Sequence, residues 1–126
     1  MPRYRQTLIM RVGVLCRAEY EWAAHSRIGR QVGISDAEVA RVVRGPEQPG
    51  DDALATELLR AADELYRDDE IADDTLTSLE RRLTLPQLLD TLITVGGYRS
   101  ASYAINSAGV QLDANMAEFR FPPELR

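Results

Sequence analysis

The sequence has no lysine, one histidine, one tryptophan and one cysteine. A single thiol, Cys16, excludes an intramolecular disulfide and fits a reducing, cytoplasmic setting. No apolar run approaches the roughly 18 to 20 residues of a membrane span. The apolar N-terminal segment is broken by Arg11 and Arg17, where a secretory leader needs continuity. The expectation is a soluble, unexported protein with no membrane partner. Aromatic residues make up only 6%, so the core must be built of Leu, Val, Ile and Ala, which favours helices over a β-sandwich. The net charge is −5, and the arginines Arg3, Arg5, Arg11, Arg17, Arg27 and Arg30 are scattered rather than clustered. That argues against a sequence-independent nucleic-acid binder. As side chains they read as solvated helix faces that need no partner.

What is present describes an ordinary globular chain. Hydrophobic residues at 44% and charged residues at 28% fit one domain spanning residues 1–126. Leu8, Ile9, Val12, Leu15 and Cys16 mark one face of a helix from about Tyr4 to Arg17. A second helix ends near Gly33, a suitable C-cap. Ser35-Asp36-Ala37-Glu38 is a capping box opening a short third helix through Val39, Val42 and Val43. Gly45 to Gly50 reads as a loop. Leu54, Leu58, Ala61 and Leu65 mark a fourth helix, capped by Asp51 or Asp52. Asp68, Asp69 and Glu70 form a solvated turn, since their spacing lacks the twelve-residue calcium loop. Asp73 or Asp74 caps a fifth helix, with Leu76, Leu79 and Leu83 facing inward. Thr84-Leu85-Pro86-Gln87 is a second capping box. It opens the longest helix, to about Ala108, with Leu88, Leu92, Val95 and Arg99 on one face. Tyr98, Ser102, Tyr103 and Asn106 supply hydrogen-bonding groups to its second half. Gly96-Gly97 within it implies close approach by another helix or a ligand. The tail with Phe119, Phe121 and Pro122-Pro123 is expected to dock on a neighbouring subunit or to be disordered.

The chemistry concentrates in Ala18-Glu19-Tyr20-Glu21-Trp22-Ala23-Ala24-His25. On a helix, positions four apart share a face, so Glu21 and His25 can touch. The face continues through Ile28 and Val32, an apolar setting that perturbs pKa values. The pair is the best acid–base candidate in the chain, although the same spacing also suits a hydrogen-bonded structural histidine. One histidine and one glutamate supply two metal ligands where zinc takes three or four, so no metal and no other cofactor is expected.

Arg5-Gln6-Thr7-Leu8-Ile9-Met10-Arg11, Glu19-Tyr20-Glu21-Trp22-Ala23-Ala24-His25 and Gly33-Ile34-Ser35-Asp36-Ala37-Glu38-Val39 together resemble the carboxymuconolactone decarboxylase family, whose superfamily includes alkylhydroperoxidase D. Val95-Gly96-Gly97-Tyr98-Arg99 and Ala104-Ile105-Asn106-Ser107-Ala108-Gly109-Val110 resemble its last long helix. The resemblance implies an all-α, alkylhydroperoxidase D-like fold of about six helices. It also implies homo-oligomers, commonly trimers or hexamers, and a small pocket beside the histidine. Many members are longer at the N-terminus, and oligomer contacts are then expected to cover what the additional helices cover.

The departures bear on chemistry. In the peroxidase branch a Cys-x-x-Cys pair precedes the histidine, at positions that here hold Ala18 and Glu21, and a relay glutamate falls where this chain has Gln6. Peroxide reduction by that route needs a thiolate and a resolving thiol. Cys16 lies two residues too early and reads as a small core residue. The decarboxylase branch retains a Glu-x-x-x-His pattern resembling Glu21 and His25. The resemblance therefore implies a non-redox, lyase-like enzyme acting on a small organic acid or lactone by decarboxylation or isomerisation. His25 would shuttle a proton, Glu21 would orient the ring, and Tyr98, Arg99 and Asn106 would hold a carboxylate or carbonyl. Trp22 is a pocket wall or a packing residue. The alternatives are a non-catalytic oligomeric binding protein and a residual peroxidase using Cys16 alone.

Overall fold

A computed structural model describes residues 1–48 and 50–126. Of the predicted Gly45–Gly50 loop, Pro49 lies outside the described residues. Six α-helices follow one another: α1 (Pro2–Leu15), α2 (Glu19–Gln31), α3 (Asp36–Arg44), α4 (Ala53–Asp68), α5 (Asp73–Glu80) and α6 (Leu85–Ala108). Two 3-10 segments, Ala114–Phe119 and Pro123–Leu125, close the chain. The all-α expectation holds among the described residues, and no described helix is long and apolar enough to cross a membrane.

Helix α1 is the centre of the bundle, packed against α2, α3, α4 and α6. Every residue from Gln6 to Val14 is buried, so the helix is covered all round rather than on the single face its pattern suggests. One side joins Leu8 and Val12 to Leu58, Leu79, Leu88 and Val95. The other joins Met10 and Val14 to Trp22, Ile34, Val42 and Phe121. Gly13 makes the tight α1–α2 approach possible: a Cβ there would stand 3.2 Å from the Trp22 backbone nitrogen. Backbone cannot yield as a flexible side-chain tip can.

Central burial corrects the view of the arginines as solvated. Arg11 is buried. It donates through Nε and Nη2 to Asp63 at 2.7 and 2.9 Å, and through Nη1 to the carbonyls of Val42 and Val43 at 2.8 and 3.1 Å. One guanidinium thus ties α1 to α4 and to the end of α3, where a cation suits the orphan carbonyls.

Both capping boxes form, Ser35 with Glu38 and Thr84 with Gln87. Asp52 caps α4 by accepting from Ala55 N. The α5 expectation needs correction. Its N-cap is Ala72, and Asp73 and Asp74 lie in the first turn. Buried Glu64 does the capping from α4, accepting from Ala72 N at 2.9 Å and from Thr75 Oγ1 at 2.7 Å.

Helix α6 also departs from its pattern. Its buried stripe is Leu88, Thr91, Thr94, Val95 and Ser102, whereas Leu92 is exposed along with Leu85, Leu89 and Ile93. Apolar residues on every side made the inward face ambiguous, and two threonines took it. Thr91 satisfies its hydroxyl on the Gln87 carbonyl one turn back, which makes its burial cheap. Among the described residues nothing comes within 4 Å of a Cβ placed at Gly96 or Gly97, so no other described helix of this chain makes the close approach there. The tail is ordered against its own chain: Phe121 is buried with its ring 6.0 Å from Trp22, and its N–H donates to Glu19 at 2.8 Å.

Candidate functional site

Helices α2 and α6 run antiparallel where they meet, so residues one turn apart on each come into register. Glu21 faces Ser102 and His25 faces Tyr98. The first half of α1 closes the third side through Gln6.

His25 Nδ1 lies 2.8 Å from Gln6 Oε1. An amide oxygen only accepts, so Nδ1 carries the proton and the Nε2 lone pair is left as a base. The ring is packed edge-on against Tyr98, with centroids 5.2 Å apart and planes at 80°. Burial lowers the imidazole pKa from its ordinary 6.5, and the positive charge of Arg5 lowers it further. The ring is therefore neutral and basic at neutral pH.

Glu21 shows the opposite shift. Its side chain is buried, and burial raises its pKa from the ordinary 4.5, opposed by the contact with Ser102. Ser102 Oγ is 2.7 Å from Glu21 Oε2 and 2.9 Å from the Tyr98 carbonyl oxygen. A hydroxyl has one proton. Both contacts are satisfied together when Glu21 is a neutral carboxylic acid donating to Oγ while the hydroxyl donates to the carbonyl. Burial thus shifts the two groups in opposite senses, raising the Glu21 pKa and lowering that of His25, one turn from each other.

The other expected site residues fall in different places. Tyr98 is at the histidine. Arg99 is engaged at the end of α4: its Nη1 donates to the Tyr66 and Leu65 carbonyls at 3.1 and 3.4 Å, and its guanidinium stacks 4.7 Å from the Tyr66 ring centroid. Asn106 donates to the Cys16 carbonyl at 2.8 Å, pinning the α1–α2 turn to α6. Trp22 is buried in the core beside Phe121. The resemblance gives Glu21 the task of orienting the imidazole; here Gln6 holds the ring and Glu21 bonds to Ser102. Cys16 is half-buried, and its thiol pKa is raised by burial, opposed by Ser102 and Arg99 and aided by Glu21.

The sequence pattern assigns Arg5 no role at the site, and it names Gln6 and Ser102 without their partners. Arg5 donates through Nη1 to Thr94 Oγ1 at 3.1 Å and lies 5.9 Å from the centroid of the Tyr98 ring that also packs on His25. A cavity of about 400 Å³ opens between α1 and α6, with Arg5, Gln6 and Thr94 in its wall. Among the described residues no three His, Cys, Asp or Glu side chains gather as a metal site.

The family model of the carboxymuconolactone decarboxylase family matches residues 1–64, the segment that supplies Gln6, Glu21 and His25. The chain belongs to the carboxymuconolactone decarboxylase family. No curated protein and no solved structure matches it. The family match ends within α4, so α6, which brings Tyr98 and Ser102 to the site, lies beyond the part of this carboxymuconolactone decarboxylase family member that carries it.

Proposed function

We propose that this protein is a non-redox enzyme that moves a proton to or from carbon on a small organic acid or lactone, by decarboxylation or isomerisation. The observation that carries the reading is the His25 ring fixed through Nδ1 to Gln6, neutral, with its Nε2 lone pair unused. In an isomerisation, Nε2 removes a proton from a carbon next to a carbonyl, and the imidazolium returns it at another carbon of the conjugated system. In a decarboxylation, the electron pair of the breaking C–C bond stays on the organic fragment as carbon dioxide leaves, and a proton delivered through His25 ends on carbon. Glu21, buried against Ser102, supports the site from α2 one turn from the imidazole rather than meeting the substrate itself. Tyr98 orients the imidazole by its edge-on contact.

The alternative of thiol-based peroxide reduction finds less support. Cys16 has no second thiol in the chain, and burial keeps it protonated, whereas the attacking species must be a thiolate.

The proposal extends to assembly. Leu85, Leu89, Leu92 and Ile93 expose an apolar strip along α6 that continues into Gly96 and Gly97, where a second helix could approach closely. A homo-oligomer, trimer or hexamer, built on this strip fits both features. The lone cysteine fits a cytoplasmic location.

A thermal-shift screen of small mono- and dicarboxylic acids and lactones gives candidate substrates. Turnover of those by wild type and His25→Ala then tests the role. We expect His25→Ala to fold and to lose turnover by at least a hundredfold, the lower range for a positioned general base. Unchanged turnover would remove His25 from the mechanism, and ligand binding without turnover in wild type would favour a non-catalytic binding protein.

A further inference from the structure

We propose that Arg5 is the carboxylate anchor of this site, holding the acid group of a small organic acid at the cavity between α1 and α6 while His25 acts on the adjoining carbon framework. The part played by His25 rests on the proton-transfer reading above; the anchor itself does not. Three observations carry it.

The arginine that the sequence offers for this task, Arg99, is committed elsewhere. Its Nη1 caps α4, its guanidinium covers Tyr66, and its recorded ion pair is with Asp69 at 3.5 Å. Arg5 is placed differently. It is exposed, and its one recorded polar bond is to Thr94 Oγ1. Among the described residues no carboxylate lies within 4.0 Å of it. A guanidinium has five N–H donors in a fork that fits a carboxylate, and here most of the fork is unused.

The second observation is position. Arg5 and the neighbouring Gln6 both stand in the cavity wall, and Gln6 holds the imidazole on its other side. Arg5 and His25 also share Tyr98 as a packing partner. An acid group at Arg5 would thus stand on the cavity side of Gln6, whose amide oxygen holds the imidazole. The third is the cavity's composition. Leu8, Leu58 and Leu83 share the lining with Arg5, Gln6 and Thr94, a mixture that suits a short hydrocarbon carrying one charged end. Its single acid is Asp90 on α6.

An anchored carboxylate also changes the base. Arg5's charge depresses the His25 pKa, and a bound anion cancels that charge, so occupancy raises the pKa and makes the imidazole a better proton acceptor. The chain has one histidine, so a single imidazole resonance reports this.

The test follows that resonance by NMR through pH titrations of the full chain with succinate, glutarate or 4-oxopentanoate, and with the uncharged succinamide as comparison. We expect the acids to raise the His25 midpoint and succinamide to leave it unmoved. Arg5→Gln should fold normally, being exposed, should itself raise the midpoint, and should weaken acid binding at least tenfold, the size of one lost charge-assisted interaction. Arg5→Lys should recover part of the affinity, and Asp90→Asn should tighten it. Acetylating the Met1 amino group, which also stands near the cavity, should change nothing. Equal acid binding by Arg5→Gln and wild type would overturn the proposal, as would acids that never perturb the resonance, or loss of binding in Arg99→Gln but not in Arg5→Gln. If His25→Ala keeps turnover while Arg5→Gln loses acid binding, the proton-transfer reading falls and the anchor stands.

Discussion

Gln6 and Ser102 decide what His25 and Glu21 can do. An imidazole against an amide oxygen gains orientation and a fixed tautomer but less stabilisation of its charged form than one against a carboxylate. A buried carboxyl against a hydroxyl has its pKa raised by burial, opposed by that hydrogen bond. Glu21→Gln preserves shape and the contact with Ser102 while removing the titration. The sign follows from linkage. The folded pKa of Glu21 lies above its unfolded value, so its contribution is complete below about 4.5 and is lost as pH rises through the raised folded value. The stability of Glu21→Gln relative to wild type should therefore increase with pH across that window, measured by urea denaturation at a series of pH values. A difference independent of pH would mean that Glu21 ionises in the folded protein as it does in the unfolded one.

Among the elements, local signals were legible and cross-helix ones were not. The capping boxes at Ser35 and Thr84 are written within four residues and appear as read. The Glu21–His25 spacing and the hydrogen-bonding half of α6 also pointed to residues that the fold brings together. What stayed hidden arises between helices rather than within one. Glu64 caps α5 from α4, Gln6 reaches His25 across the α1–α2 hairpin, and Arg11 is buried because α1 is surrounded rather than because its neighbours are apolar. A period of 3.6 identifies a face but not which of two apolar faces turns inward, hence the error at Leu92. The Arg11–Asp63 pair supports three elements at once. Asp63→Ala leaves a buried guanidinium without its carboxylate and should cost about 3 kcal/mol, read as a lower urea midpoint. A loss below about 0.5 kcal/mol, as for an exposed pair, would contradict that role.

For the whole molecule, the unpartnered surface is the strip on α6. Ile93 is 70% exposed and Leu89 49% exposed, on a helix whose opposite side forms the site. An apolar strip of this kind supports the proposed assembly through α6. Leu89→Glu with Ile93→Glu should convert an oligomer into a monomer in light scattering coupled to size exclusion, with helix content unchanged. A wild-type monomer would assign the strip another partner. Assembly through α6 would also brace Tyr98 and Ser102 from behind, so the double variant should lose ligand response together with oligomerisation.

The central claim is that His25 is a neutral base, protonated on Nδ1 by its contact with Gln6. The most direct measurement is the nitrogen-15 NMR spectrum of the single imidazole as a function of pH. The account predicts the Nδ1–H tautomer at neutral pH and a midpoint below 6.5. An Nε2–H ring, or a midpoint at or above that value, would contradict it.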